Sequence, residues 1–260
     1  MSKTDYEVVG YTKFESYLDV GFIDEVNKII DNMLVDIEIN DGVFDEDNTG
    51  KIKQIQYLHN KNDIFIKLLD KIKPAIEHLL DGKKYNILNV QLFEKHPQIS
   101  KPTRAHQDNA YYKQTPATPL TIWIALDDID EENGCLYYAP YSHITPTHKH
   151  SRYHPHTTFR VRSGVLGLSL CLHEHPEECD IPMIVKKGDM LIHNSNTIHR
   201  AGKNNTFDRR RRAIGISVIP VECKIDERLE KYHQDRLKED IELQKIKDPK
   251  LYRRLTNKFK

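Results

Sequence analysis

Leu120-Thr121-Ile122-Trp123-Ile124-Ala125-Leu126, then the turn signal Glu132-Asn133-Gly134, then Leu136-Tyr137-Tyr138: this stretch decides the fold class. A short apolar run bounded by turn residues reads as a strand. Asn133-Gly134 can adopt the positive φ angles that a tight hairpin demands. Working outward, the same texture recurs at Ile87 to Phe93, Val165 to Leu172, Met190 to His193 and Ala213 to Ile219. Nearer the start the period changes. Phe22, Val26, Ile29, Ile30 and Met33 fall at helical spacing, and Phe65, Leu68, Leu69 and Ile72 repeat it before Pro74. After Pro220 the chain is strongly charged, with Ile225, Leu229 and Tyr232 again at helical spacing. Helices followed by many short strands suggest a β-sandwich or barrel with helices packed outside it. The expected layout is one domain over 1–220, helical in 1–85 and β-rich in 86–220, with a charged helical extension over 221–260.

Composition narrows the classes of function. The 260 residues include 39 Lys and Arg against 39 Asp and Glu, which removes any global electrostatic argument for a nucleic-acid or membrane partner. The four cysteines, Cys135, Cys171, Cys179 and Cys223, are scattered without C-x-x-C spacing and suggest a reducing compartment. Residues 1–10 carry no apolar core of a secretion signal, and no stretch approaches the ~20 apolar residues of a membrane span. A cytoplasmic protein is expected.

Arg104-Ala105-His106-Gln107-Asp108 puts an imidazole and a carboxylate two residues apart, and in an extended strand such residues share a face. Both could reach one metal ion. A second histidine from a distant strand would complete a triad on one face of an octahedron, leaving positions open for a bidentate co-substrate and O2. Two candidates compete for that place, His193 and His199, and strand alternation does not separate them because Asn194 to Asn196 can form a turn. Downstream, Arg209 to Arg212 lead into the apolar strand 213–219. A guanidinium rooted there suits the distal carboxylate of a dicarboxylate. Taken alone, the basic run reads more readily as a solvated turn.

Read in order, these blocks resemble the phytanoyl-CoA dioxygenase family of 2-oxoglutarate oxygenases, from about Ile87 to Ile219. His106-Gln107-Asp108 is similar to the family's H-x-D. Trp123-Ile124-Ala125-Leu126, Glu132-Asn133-Gly134-Cys135-Leu136 and Ser142-His143 are similar to its "W-x-A-L … E-N-G-x-L … P-G-S-H", and Gly188-Asp189, His199 and Arg211-Arg212-Ala213 to its close. The resemblance implies a double-stranded β-helix, or jelly roll, buttressed by N-terminal helices. It implies Fe(II) held by His106, Asp108 and His199, with 2-oxoglutarate anchored by Arg211, Arg210 being the one-residue alternative. It further implies hydroxylation of a substrate C–H with O2, releasing succinate and CO2. This sequence departs from the pattern at two points. Tyr141 stands where the family's turn has glycine, and Arg200-Ala201 replaces a small pair whose serine helps hold the co-substrate, a role that Thr121 or Trp123 could take.

Substrate-facing residues are expected at Gln107, Tyr111 and Tyr112, beside the H-x-D, and at Arg160 and Arg162. The last two close a histidine- and arginine-rich segment from His143 that reads either as a cationic lid over an anionic substrate or equally as a solvated loop, a separate zinc site being the lesser alternative. Within the family, Glu132 to Leu136, Gly164 to Ser169 and Thr197 to Ala201 are similar to the branch that hydroxylates small phosphonates. Two competing expectations are an acyl thioester or other small-metabolite substrate, and a jelly-roll binding protein without turnover.

Overall fold

The computed structural model describes residues 3–38, 42–45, 49–150, 172 and 175–235. Strands β1 (Tyr11–Phe14), β2 (Val43–Asp45), β3 (Ile52–Ile55), β4 (Tyr85–Lys95), β5 (Thr103–His106), β6 (Gln114–Thr115), β7 (Leu120–Ala125), β8 (Leu136–Tyr138), β9 (Ile181–Met183), β10 (Met190–Asn194), β11 (His199–Ala201), β12 (Arg211–Pro220) and β13 (Lys224–Ile225) form three antiparallel sheets. The large sheet runs β1-β10-β7-β12-β4-β3-β2, the smaller β5-β11-β8-β9, and β13 pairs with β6 alone. Helices are α1 (Lys3–Val9), α2 (Val20–Val35), α3 (Ile64–Leu79), α4 (Asn109–Tyr112) and α5 over 227–235. No helix among the described residues is long and apolar enough to cross a membrane.

The two faces of the large sheet have different jobs. Along β7, Leu120, Ile122 and Ile124 pack on one side with Ile23, Val26 and Ile30 of α2 and Phe65, Leu68, Ile72 and Ile76 of α3. The Asp19 carboxylate starts α2 by accepting from Phe22 N–H at 3.1 Å. On the other side Trp123 and Ala125 meet Leu136 and Tyr138 of the small sheet. The period-2 alternation therefore sorts β7 into a helix-facing row and a row facing the space between the sheets. This is the expected jelly roll, with helices buttressing the larger sheet.

Three local readings are corrected. Residues 11–14, 43–45 and 52–55 are strands of the large sheet and not part of a wholly helical first third. At three or four residues each they carry no periodicity, and β1 is held by pairing with β10, far along the chain. Asn133-Gly134 does not close a hairpin between β7 and β8, which belong to different sheets. Gly134 does adopt φ +94°, but the turn serves a crossover, pinned by the buried Asn133 amide donating to Asp128 C=O at 2.9 Å. Ile225 lies in β13, exposed, and α5 starts after it.

Candidate metal centre

His106 ends β5, and the pairing of β11 with β5 sets His199 directly opposite it. The imidazole centroids are 4.2 Å apart. Each ring turns its Nδ1 to a carbonyl of its own strand segment, His106 to Arg104 at 2.9 Å and His199 to Thr197 at 3.0 Å. Nδ1 must donate there, so both Nε2 lone pairs point away from the backbone and are available to a cation. Burial, with His106 beside it, pushes His199 well below the usual histidine range.

Asp108 completes the group by a route that differs from the expected one. Strand β5 stops at His106, and Asp108 has φ −63° and ψ −28°, at the entry to α4. Its carboxylate reaches the histidines through a turn and not through same-face projection from one strand. The turn is fastened on both sides of Asp108: Asn109 N–H donates to Ser195 C=O at 2.8 Å, and the Gln107 amide donates to Asn196 C=O at 2.8 Å. Asp108 Oδ1 lies 3.6 Å from His106 Nε2 and 3.7 Å from His199 Nε2. Burial would raise this carboxyl, but His199, His106 and His193 outweigh it and hold Asp108 well below the usual carboxylate range. Among the described residues, His106, Asp108 and His199 are the His/Cys/Asp/Glu group able to hold a metal, their donor atoms all within 4.8 Å of one another. Two imidazoles and a carboxylate fit a first-row divalent ion with open positions.

His193, the competing histidine, stands behind Asp108. Its Nε2 contacts Asp108 Oδ2 at 3.0 Å and its Nδ1 contacts Tyr138 Oη at 2.8 Å. Thr121 Oγ1 also donates to Oδ2 and is itself met by Tyr112 Oη at 2.9 Å, which reaches Ser217 Oγ at 2.7 Å. Sequence reasoning missed Tyr138 and Ser217, although a lone serine inside the apolar run 213–219, on the alternation that starts at Arg211, was a usable signal.

Alternation along β12 also separates the arginines. Arg211 shares the inter-sheet face with Ala213, and its guanidinium sits 5.6 Å over the Trp123 ring while Nε–H donates to Gly134 C=O at 3.0 Å. It is 2% exposed, and no carboxylate of the described residues forms an ion pair with it. Burial depresses it to about 10. Arg210 and Arg212 point to the helical side, both bonding Asp31 of α2. A buried cation lacking a counter-ion is costly unless an anion joins it, so Arg211 fits a ligand carboxylate.

The remaining expected residues divide. Tyr111 is 38% exposed and meets the His106 ring edge-on, at the mouth of the centre. Tyr112 and Thr121 support Asp108, as described. Gln107 is not exposed at all: His148 N–H donates to its Oε1 at 2.8 Å, its own N–H donates to His150 Nε2 at 2.9 Å, and its amide holds Asn196. It braces the turn and presents no group to a substrate. Arg160 and Arg162 lie outside the described residues. At the turn glycine of the resembling family, Tyr141 keeps a left-handed backbone with φ +65°.

A family model described as Phytanoyl-CoA dioxygenase (PhyH) matches residues 6–213. The chain is 23% identical over 208 residues to phytanoyl-CoA dioxygenase domain-containing protein 1 of Danio rerio, covering 78% of this chain and 64% of that protein. It is 26% identical over 228 residues to a probable alpha-ketoglutarate-dependent hypophosphite dioxygenase of Stutzerimonas stutzeri, covering 80% of this chain and 74% of that protein. It thus spans a little under two thirds of the first relative and about three quarters of the second. The solved structure of EvdO2 from Micromonospora carbonacea var. aurantiaca, complexed with 2-oxoglutarate, superposes with a TM-score of 0.68 at 22% identity, covering 86% of this chain and 91% of that one.

Proposed function

The chain belongs to the phytanoyl-CoA dioxygenase family, and from that membership we propose that it is an Fe(II)- and 2-oxoglutarate-dependent dioxygenase that hydroxylates a small polar or anionic metabolite. One observation carries the reading: two imidazoles and a carboxylate converge within 4.8 Å, on the same inter-sheet space that holds Arg211 without a carboxylate partner among the described residues. When bound, Fe(II) supplies the O2 chemistry that couples conversion of 2-oxoglutarate to succinate and CO2 with oxygen insertion into a C–H bond. His106, Asp108 and His199 would hold the ion. Arg211, steadied by Gly134 C=O and the Trp123 face, clamps the distal carboxylate and so sets which end of the dicarboxylate meets the metal. Tyr111, at the mouth beside His106, orients the substrate. The scattered thiols support a reducing, cytoplasmic setting.

For the substrate, we favour a phosphorus oxyanion such as a small phosphonate. The relative from Stutzerimonas stutzeri bears the name of a hypophosphite dioxygenase, and the cationic residues Arg160 and Arg162 would suit such an anion. Anaerobic titration of Fe(II) and 2-oxoglutarate into apo-protein tests the cofactor assignment. A weak visible charge-transfer band, lost in His199→Ala, is expected; folded, metal-loaded protein without a band would point to a binding protein. Succinate release stimulated by phosphonates and not by acyl thioesters would support the substrate class. Arg160→Gln with Arg162→Gln should then raise the KM for the phosphonate and leave that for 2-oxoglutarate unchanged.

A further inference from the structure

Asp108 has no strand to orient it, yet a metal ligand needs a fixed carboxylate. Its two oxygens stand in different surroundings. Oδ1 faces His106 Nε2 and His199 Nε2, whereas Oδ2 is met by His193 Nε2 and Thr121 Oγ1. Because an ionised carboxylate only accepts, Nε2 of His193 donates to Oδ2, and its Nδ1 is hydrogen-bonded to the Tyr138 hydroxyl behind it at 2.8 Å. The other arm has the same polarity: Ser217 donates to Tyr112, Tyr112 to Thr121, and Thr121 to Oδ2. Every donor except Tyr112 is rooted in a strand, and sheet pairing sets Thr121 beside both His193 and Ser217.

We propose that His193, with Tyr138 behind it, is a positioning residue for the metal centre: it occupies Asp108 Oδ2 so that Oδ1 alone is offered to the ion. The inference rests on the metal-centre reading above. A carboxylate free to swing could chelate through both oxygens and take a position that co-substrate or O2 needs. One saturated oxygen prevents this, and groups that hydrogen-bond ligands in this way are commonly worth 10- to 100-fold in metal affinity.

The experiment titrates Co(II) into apo-protein, reading affinity and the visible d–d spectrum, which reports coordination geometry without turnover. His193→Ala should weaken binding roughly 10- to 100-fold and change the spectrum. His193→Gln, whose amide N–H can still reach Oδ2, should bind within about threefold of wild type with the wild-type spectrum, since it keeps the hydrogen bond. Tyr138→Phe, which keeps the ring stacked on Tyr11, should weaken binding by a few-fold and decides the matter if His193→Ala does not fold. Unchanged affinity and spectrum in His193→Ala and Tyr138→Phe would overturn the proposal. So would complete loss in His193→Gln equal to that in His199→Ala, which would make His193 a ligand. Failure of the wild-type protein to bind Co(II) would instead overturn the metal-centre reading, and this inference with it.

Discussion

Arg211 carries a full charge into a space where none of the described carboxylates meets it, and its replacement separates co-substrate binding from metal binding. Arg211→Ala should raise the KM for 2-oxoglutarate about 10- to 100-fold, the range expected for a charge-assisted pair, while leaving the Co(II) spectrum unchanged. An unaltered KM would transfer the anchor elsewhere. Tyr141 offers a second single-residue test. A non-glycine residue at φ +65° costs roughly 1 kcal/mol, and the ring is 56% exposed, so little packing would be lost. Tyr141→Gly should raise stability by up to about 1 kcal/mol in urea unfolding, and a loss would mean that the tyrosine ring holds the turn. At this scale the sequence was legible where chemistry leaves few choices: imidazole, carboxylate and guanidinium in family order. It was illegible where the question was which atom faces which. Gln107 was expected to touch substrate and is buried, and Thr121 was expected near the co-substrate and bonds Asp108.

Elements whose residues repeat along one face were readable, and those defined by distant partners were not. Helices α2 and α3 show a 3.6-residue apolar stripe that burial confirms at Val26 and Ile30 and at Phe65, Leu68 and Ile72, whereas the expected Phe22, Ile29 and Met33 are only partly buried and Ile23 is buried in their place. Strands β1 to β3 exist only through pairing, and the crossover at Asn133-Gly134 looked locally like a hairpin. The C-terminal segment beyond the family match has a structural task that spacing alone did not reveal. β13 pairs with β6, Asp226 N–H donates to Lys113 C=O at 2.7 Å, Lys113 and Glu230 form an ion pair, and Tyr232 Oη–H donates to His150 C=O at 2.9 Å. His150 in turn accepts from Gln107 N–H, between the two ligands His106 and Asp108. Tyr232→Phe should lower stability by about 1 kcal/mol, seen as a lower urea midpoint; an unchanged midpoint would show that this contact fastens nothing.

For the molecule as a whole, acid sensitivity follows from buried groups held below their ordinary range, and His150 is the one outside the metal centre. His150 is 1% exposed, and burial pushes it down to about 3, against roughly 6.5 in the unfolded chain. Between those values the unfolded state binds the extra proton, so stability rises with pH: the folded state loses nothing above about 6.5 and up to ~1.4 kcal/mol per pH unit on descending toward 3. Urea midpoints at pH 5 should therefore lie below those at pH 8, and His150→Gln should narrow the gap. An equal gap in that variant would assign the acid response to other groups.

The order of strands in the large sheet has a further consequence, for biosynthesis. In the run β1-β10-β7-β12-β4 no two neighbours are consecutive in the chain, and β12, between β7 and β4, is the last of them to be made. As the chain emerges from the ribosome, α2 and α3 can form early, but the apolar row that covers them is incomplete until residue 220 has been translated. The growing chain thus carries an uncovered hydrophobic face through most of its synthesis, the condition under which nascent proteins draw on chaperones and aggregate without them. The strand that ends this exposure is also the one that delivers Arg211, so burial of the helices and arrival of the anion-holding arginine are a single late event.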